Sequence, residues 1–106
     1  MKVKLIEYPF GKYLNISQDV VWFIQTVEAD DKAHTVMWDE PNSRVIYIMD
    51  HDASALSSAA YTNAIDANIA FDKIRKWFIE QSKQHQIKVL REVEIETVKN
   101  VSNQEN

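Results

Sequence analysis

The feature that most limits this chain is a change of hydrophobic period part-way along it. Up to residue 49, apolar residues come in short runs rich in β-branched and aromatic side chains. From Thr62 to Gln84 they recur instead at about 100° per residue, the spacing of an α-helix. Neither pattern can be folded as the other without exposing its apolar face. A chain that holds strands first and a long helix afterwards belongs to the α+β class.

The strand half divides at its turn residues. Residues 2–8 alternate loosely, and "YPFGKY" ends them as a turn. Residues 19–28, "DVVWFIQTVE", hold the unbroken run Val20–Ile24, which suits a central strand covered on both faces. "ADDKA" (29–33) is a hairpin signal, 34–39 a third strand, "EPNS" (40–43) a second turn and 44–49 a fourth strand. Gly11 is the one glycine, so Asp, Asn and Pro must make most of the turns.

Within the helix, Ala67, Ala70, Phe71, Ile74, Trp77 and Phe78 share one broad face, the expected core stripe. Ile65, Ile69 and Ile79 fall nearly opposite, among Asp72, Lys76 and Lys83. The spacing of Asp72 and Lys76, acid first, favours an exposed ion pair. Thr62 is the expected N-cap, and 53–61, "ASALSSAAY", reads as a helical turn or two, or a loop. Residues 87–98 alternate again. Ile87, Val89, Val93 and Ile95 take one side with Arg91 among them, and Lys88, Glu92, Glu94 and Glu96 take the other. The expected architecture is thus a mostly antiparallel sheet of about five strands, in the order β-β-β-β-α-β, with the long helix on one face. It occupies 1–98 as a single domain, and 99–106 form a disordered polar tail.

Composition narrows the functional classes. The absence of cysteine excludes thiolate catalysis, thiolate metal sites and disulfides. The N-terminus lacks the apolar run of a signal peptide, and no stretch is long enough to span a membrane, so a soluble cytoplasmic protein is expected. A net charge of −4 disfavours nucleic acid as partner. Residues 19–72 hold ten acids against two bases, whereas 73–91 hold six bases against Glu80. No nucleotide fingerprint, P-loop or nucleophile elbow is present, and one glycine leaves little backbone able to close around a phosphate.

Two groups of residues remain as candidates. A meander of strands two to four brings Asp30, Asp31 and His34 to the same rim as Asp50, His51 and Asp52, with strands two and four roughly 9–10 Å apart. Asp30, His34, Asp50, His51 and Asp52 have the oxygen and imidazole donors of a divalent-cation site, and an Asp beside a His can orient it as a base. The same residues serve equally as turn and helix-cap chemistry. Ile65, Ile69 and Ile79 form the second candidate, a face that needs cover from a second copy or another protein. Trp22, Trp38 and Trp77, with Tyr47, Tyr61 and Phe71, either fill the core or line a pocket. The leading expectation is a small non-enzymatic binding or regulatory module that forms a homodimer and needs no cofactor. The alternatives are a metal-binding protein or hydrolase on the Asp/His rim, and an acidic inhibitor-like protein docking a basic partner.

Overall fold

The computed structural model describes residues 1–48, 52–84 and 89–96. Strands β1 (Lys2–Tyr8), β2 (Val21–Val27), β3 (Ala33–Asp39) and β4 (Arg44–Tyr47) form one antiparallel sheet in the order β1-β2-β3-β4. A short 3-10 turn, Gly11–Leu14, lies between β1 and β2, and helices α1 (Ala53–Ala59) and α2 (Ala64–Gln84) follow β4. The class is α+β and the meander is as the short turns predict. Among the described residues no helix is long and apolar enough to cross a membrane.

Register sorts the side chains into two cores. Leu5 stands opposite Ile24, Ile24 opposite Val36, and Trp38 opposite Val45. These residues point to α2, where Ala70 and Ile74 are buried against them and Phe71, Trp77 and Phe78 are packed alongside. The helical stripe read from the sequence is therefore the buried one. Ile6 opposite Phe23 and Tyr8 opposite Val21 point the other way, onto Leu14, Leu56 and Ala59. The 3-10 turn and α1 thus cover the second face, which the expectation of one helix on one face did not include. β2 lies between both cores, and Val21 and Ile24 are wholly buried, which explains the unbroken apolar run there.

The chain changes faces within two residues. Ala60 packs in the α1-side core and Tyr61 in the α2-side core. The passage is opened by a splay between β2 and β3. Their ladder runs from Val27↔Ala33 to Ile24↔Val36, and the next same-face step would pair Trp22 with Trp38. Tyr61 takes that place: Trp22 N–H donates to the Tyr61 carbonyl at 2.9 Å, and Tyr61 N–H to the Trp22 carbonyl at 2.8 Å. Trp38 N–H, displaced from the ladder, donates to the Tyr61 hydroxyl at 3.2 Å. These three bonds give the Trp22, Tyr61 and Trp38 amides partners at the splay.

Local chemistry fixes the helix starts. The Asp52 carboxylate accepts from Ser54 N–H at 2.9 Å and caps α1. Asn63 caps α2, its Oδ1 accepting from Ile65 N–H at 2.8 Å and Asp66 N–H at 3.2 Å. Thr62, the expected cap, lies one residue too early, and its carbonyl instead accepts from the Gln18 amide. Ser57 Oγ donates to the Leu14 carbonyl and ties α1 to the 3-10 turn.

Among the described residues the sheet has four strands, close to the expected five. Residues 89–96 make no strand, and all are exposed, Val89, Leu90, Val93 and Ile95 at between 71% and 86%. Alternation makes a segment fit for a strand but does not supply the neighbouring edge it pairs with. The remainder of the expected strand and the 99–106 tail lie outside the described residues.

Candidate functional site

The rim formed by the end of β2 and the start of β3 is turn chemistry in its details. Asp31 takes φ 65°, the left-handed conformation that acidic and amide residues tolerate. Asp30 Oδ1 accepts from Lys32 N–H at 3.2 Å, and Glu28 N–H donates to the Lys32 carbonyl at 2.9 Å. His34 is exposed on β3 and meets the Tyr47 ring edge-on, with centroids 5.8 Å apart. Burial, followed by the nearby charge of Glu28, raises the Tyr47 hydroxyl above its ordinary range. Asp52 is engaged as the α1 cap. Asp50 and His51 lie outside the described residues. Among the described residues, no three His, Asp or Glu side chains are placed to share a metal ion.

The second candidate face is where periodicity puts it. Ile65, Ile69 and Ile79 on α2 are 71%, 50% and 44% exposed; Ile69 borders a hollow shared with Trp38 and Ile79 one shared with Val3. The Asp72–Lys76 pair is not among the ion pairs of the described residues, which are Lys12–Asp19, Arg44–Asp39 and Lys73–Glu40. The third of these joins α2 to the sheet instead of one helix turn to the next.

That ion pair marks the most organised part of the surface, at the splayed end of β3. Trp38 and Glu40 are two residues apart and lie on the same side of the chain. Trp38 Nε1–H and Lys73 Nζ both donate to Glu40 Oε1, each at 2.9 Å. The Lys73 ammonium, by hydrogen bond and charge, holds the Glu40 carboxyl below its usual range. Desolvation raises the Tyr61 hydroxyl above its ordinary value, against the smaller effect of the bond from Trp38 N–H.

Two adjoining hollows flank this cluster, of about 210 and 290 Å³. The first is walled by Trp38, Tyr61, Ile69 and Ala70, the second by Trp38, Ser43, Trp77 and Glu80. Both are smaller than the roughly 300–1,000 Å³ of a typical small-molecule pocket. Glu40 and Lys73 line both, and Lys76 also borders the second. Across the Glu40–Ser43 turn, Asn42 and then Arg44 hydrogen-bond to Asp39, with an ion pair to Arg44, so that its carboxyl is held low despite some desolvation.

Glu40 and Lys73 belong to neither candidate group read from the sequence. The signal available was Trp38 two residues before Glu40 on a strand, which puts an indole and a carboxylate side by side. Tyr61 carried none, because its position depends on the splay. No protein-family model, curated protein or solved structure matches the chain.

Proposed function

We propose that this chain is a small non-enzymatic binding module that acts by protein–protein association, with a second copy as its first partner. The observation that supports this reading is the outward face of α2. Ile65 and Ile69 are one turn apart and both at least half exposed, and Ile79 is exposed further along the helix, on its β1 flank. An isolated exposed isoleucine is ordinary, but two in adjacent turns of one helix face gain by exclusion of water against a partner. Ile69 also borders the hollow beside Trp38, so the Ile65–Ile69 pair runs into the side-chain-sized recess at the splayed end. The contact is thus a ridge with receptive hollows beside it.

Sedimentation across a wide range of protein concentration tests the reading. The unmodified chain shifts from monomer to dimer as concentration rises, and Ile69→Glu moves the midpoint to markedly higher concentration. A monomer that persists at the highest concentration overturns the proposal, as does a dimer indifferent to Ile69→Glu and Ile65→Glu.

A further inference from the structure

The α2 side of the sheet carries more helix than sheet at its β1 edge. A hollow of about 340 Å³ opens there, lined by Met1, by Val3 from β1 and by Arg75, Phe78, Ile79 and Ser82 from α2. Helix side chains overhang a position where a further strand would lie. β1 is an edge strand, and among the described residues nothing pairs with its outer side. An uncovered edge of seven residues invites another strand.

The chain itself contains a strand-like segment with no sheet. Residues 89–96 are exposed throughout and alternate in character. We infer that residues 89–96 of one copy pair antiparallel with β1 of a second copy, adding a fifth strand beneath its α2. The inference rests on the reading that two copies associate, and assigns them a contact at the β1 edge, apart from Ile65 and Ile69 and bordered by Ile79.

One register pairs opposite charges on both sides of the sheet, at the cost of Glu92 opposite Ile6. With Ile95 opposite Val3, Val93 falls opposite Leu5 and Arg91 opposite Glu7, all on the side that faces α2. Val3 and Leu5 already pack against the α2-side core, so the two incoming apolar residues extend it into the hollow. On the other side Glu96 falls opposite Lys2 and Glu94 opposite Lys4, with Leu90 opposite Tyr8. Opposite charges placed directly across a strand pair stabilise it, and like charges destabilise it. A slip of one residue turns Glu94 and Glu96 toward α2, and a slip of two in one direction keeps acids opposite Lys2 and Lys4 but sets Arg91 against Leu5 and parts it from Glu7, so the Arg91–Glu7 match is what selects this register over that neighbour.

Orientation selects the second copy over the chain's own edge. Ser82, near the end of α2, lies beside Met1 and Val3, where β1 begins. A segment entering from there on its own sheet runs parallel to β1 and loses the Arg91–Glu7 match. A second copy is free to enter from the other end.

The chain has no cysteine, so engineered thiols report the contact without interference. Lys4→Cys on one chain and Glu94→Cys on another, one bearing a mass tag, are mixed and gently oxidised. Facing Cα atoms of an antiparallel pair lie roughly 4.5–5.5 Å apart, within disulfide range. The expected product is a mixed disulfide, absent when Asn68→Cys on exposed α2 replaces Lys4→Cys. In sedimentation, Lys4→Glu weakens association and Lys4→Glu with Glu94→Lys restores it. No mixed disulfide above the control, or a Lys4→Cys/Glu94→Cys double variant that closes within one chain, overturns the inference. Association lost with Ile69→Glu but without any mixed disulfide retains the α2 reading and overturns this one.

Discussion

Trp22 and Tyr61 exchange two backbone hydrogen bonds in a place the third strand has left open, and the Tyr61 hydroxyl then accepts the amide of the displaced Trp38. One residue thereby satisfies both sides of a splayed sheet. Tyr61→Phe keeps the ring in the α2-side core and leaves Trp38 N–H, partly buried, without its acceptor. It is expected to lower unfolding stability by about 1 kcal/mol. Tyr61→Ala also empties the ring's volume and is expected to cost about 3–5 kcal/mol, taking the range for large aromatic truncations. Urea titration followed by tryptophan fluorescence measures both, and a Tyr61→Phe variant as stable as the parent would refute the account of the splay.

The Glu40–Lys73 contact makes stability depend on acid. Glu40 has a lower pKa folded than unfolded because of Lys73. Its contribution is therefore fully present above the unfolded value, about pH 4.3 for glutamate, and is lost as pH falls through the folded value. Lys73→Met removes the cause, so urea midpoints of the variant fall less steeply below that pH than those of the parent. Equal acid slopes would show that the contact does nothing in solution. Added salt reduces the difference, since both side chains are largely exposed.

Asn63 and Thr62 compete in sequence for the start of α2, and the structure chooses Asn63. Asn63→Ala is expected to cost about 1 kcal/mol, whereas Asn63→Asp is expected to be tolerated, because an acid also suits a helix N-terminus. Thr62→Ala should change the urea midpoint much less. The reverse order of the two alanine variants would return the cap to Thr62.

Gly11 is buried where the chain returns after the 3-10 turn, and its N–H donates to the Asp19 carbonyl at 2.6 Å. A Cβ added there would overlap the Gln18 carbonyl and sit 3.0 Å from that of Asp19, both backbone atoms. Gly11→Ala is expected to destabilise by about 1–3 kcal/mol, as overpacking of a tight site does. Thermal unfolding checks this, and a rise in melting temperature would contradict it.

The sequence reading fails and succeeds for reasons that can be located. The meander was legible because Asp30 and Asp31, then Pro41 and Asn42, punctuate runs of β-branched residues. The buried stripe of α2 was legible because Ala67, Ala70, Ile74 and Phe78 obey helical spacing. Tyr61 was not, since its place depends on where the β2–β3 ladder stops, which is a property of register. The second layer also escaped: Leu14, Leu56 and Ala59 come from two short segments with little periodicity of their own. Residues 89–96 show the limit of alternation, which marks a segment fit for a sheet but not which sheet. Of the rim acids, Asp30 and Asp52 could be read as turn and cap from residue type alone. The Trp38–Glu40–Lys73 cluster needed the third dimension.

The passage of the chain between β2 and β3 at Ala60 and Tyr61 sets an order of events in time. Tyr61 can bond to Trp22 only once a long loop has closed, and loop closure of that kind is what slows folding. The hairpins of the meander need only short loops and can form first. Locking Tyr61 into the gap would then be a late step, and α2 would settle on its face only after it. Variants at Tyr61 should therefore act chiefly on the rate of unfolding and leave the rate of folding nearly unchanged.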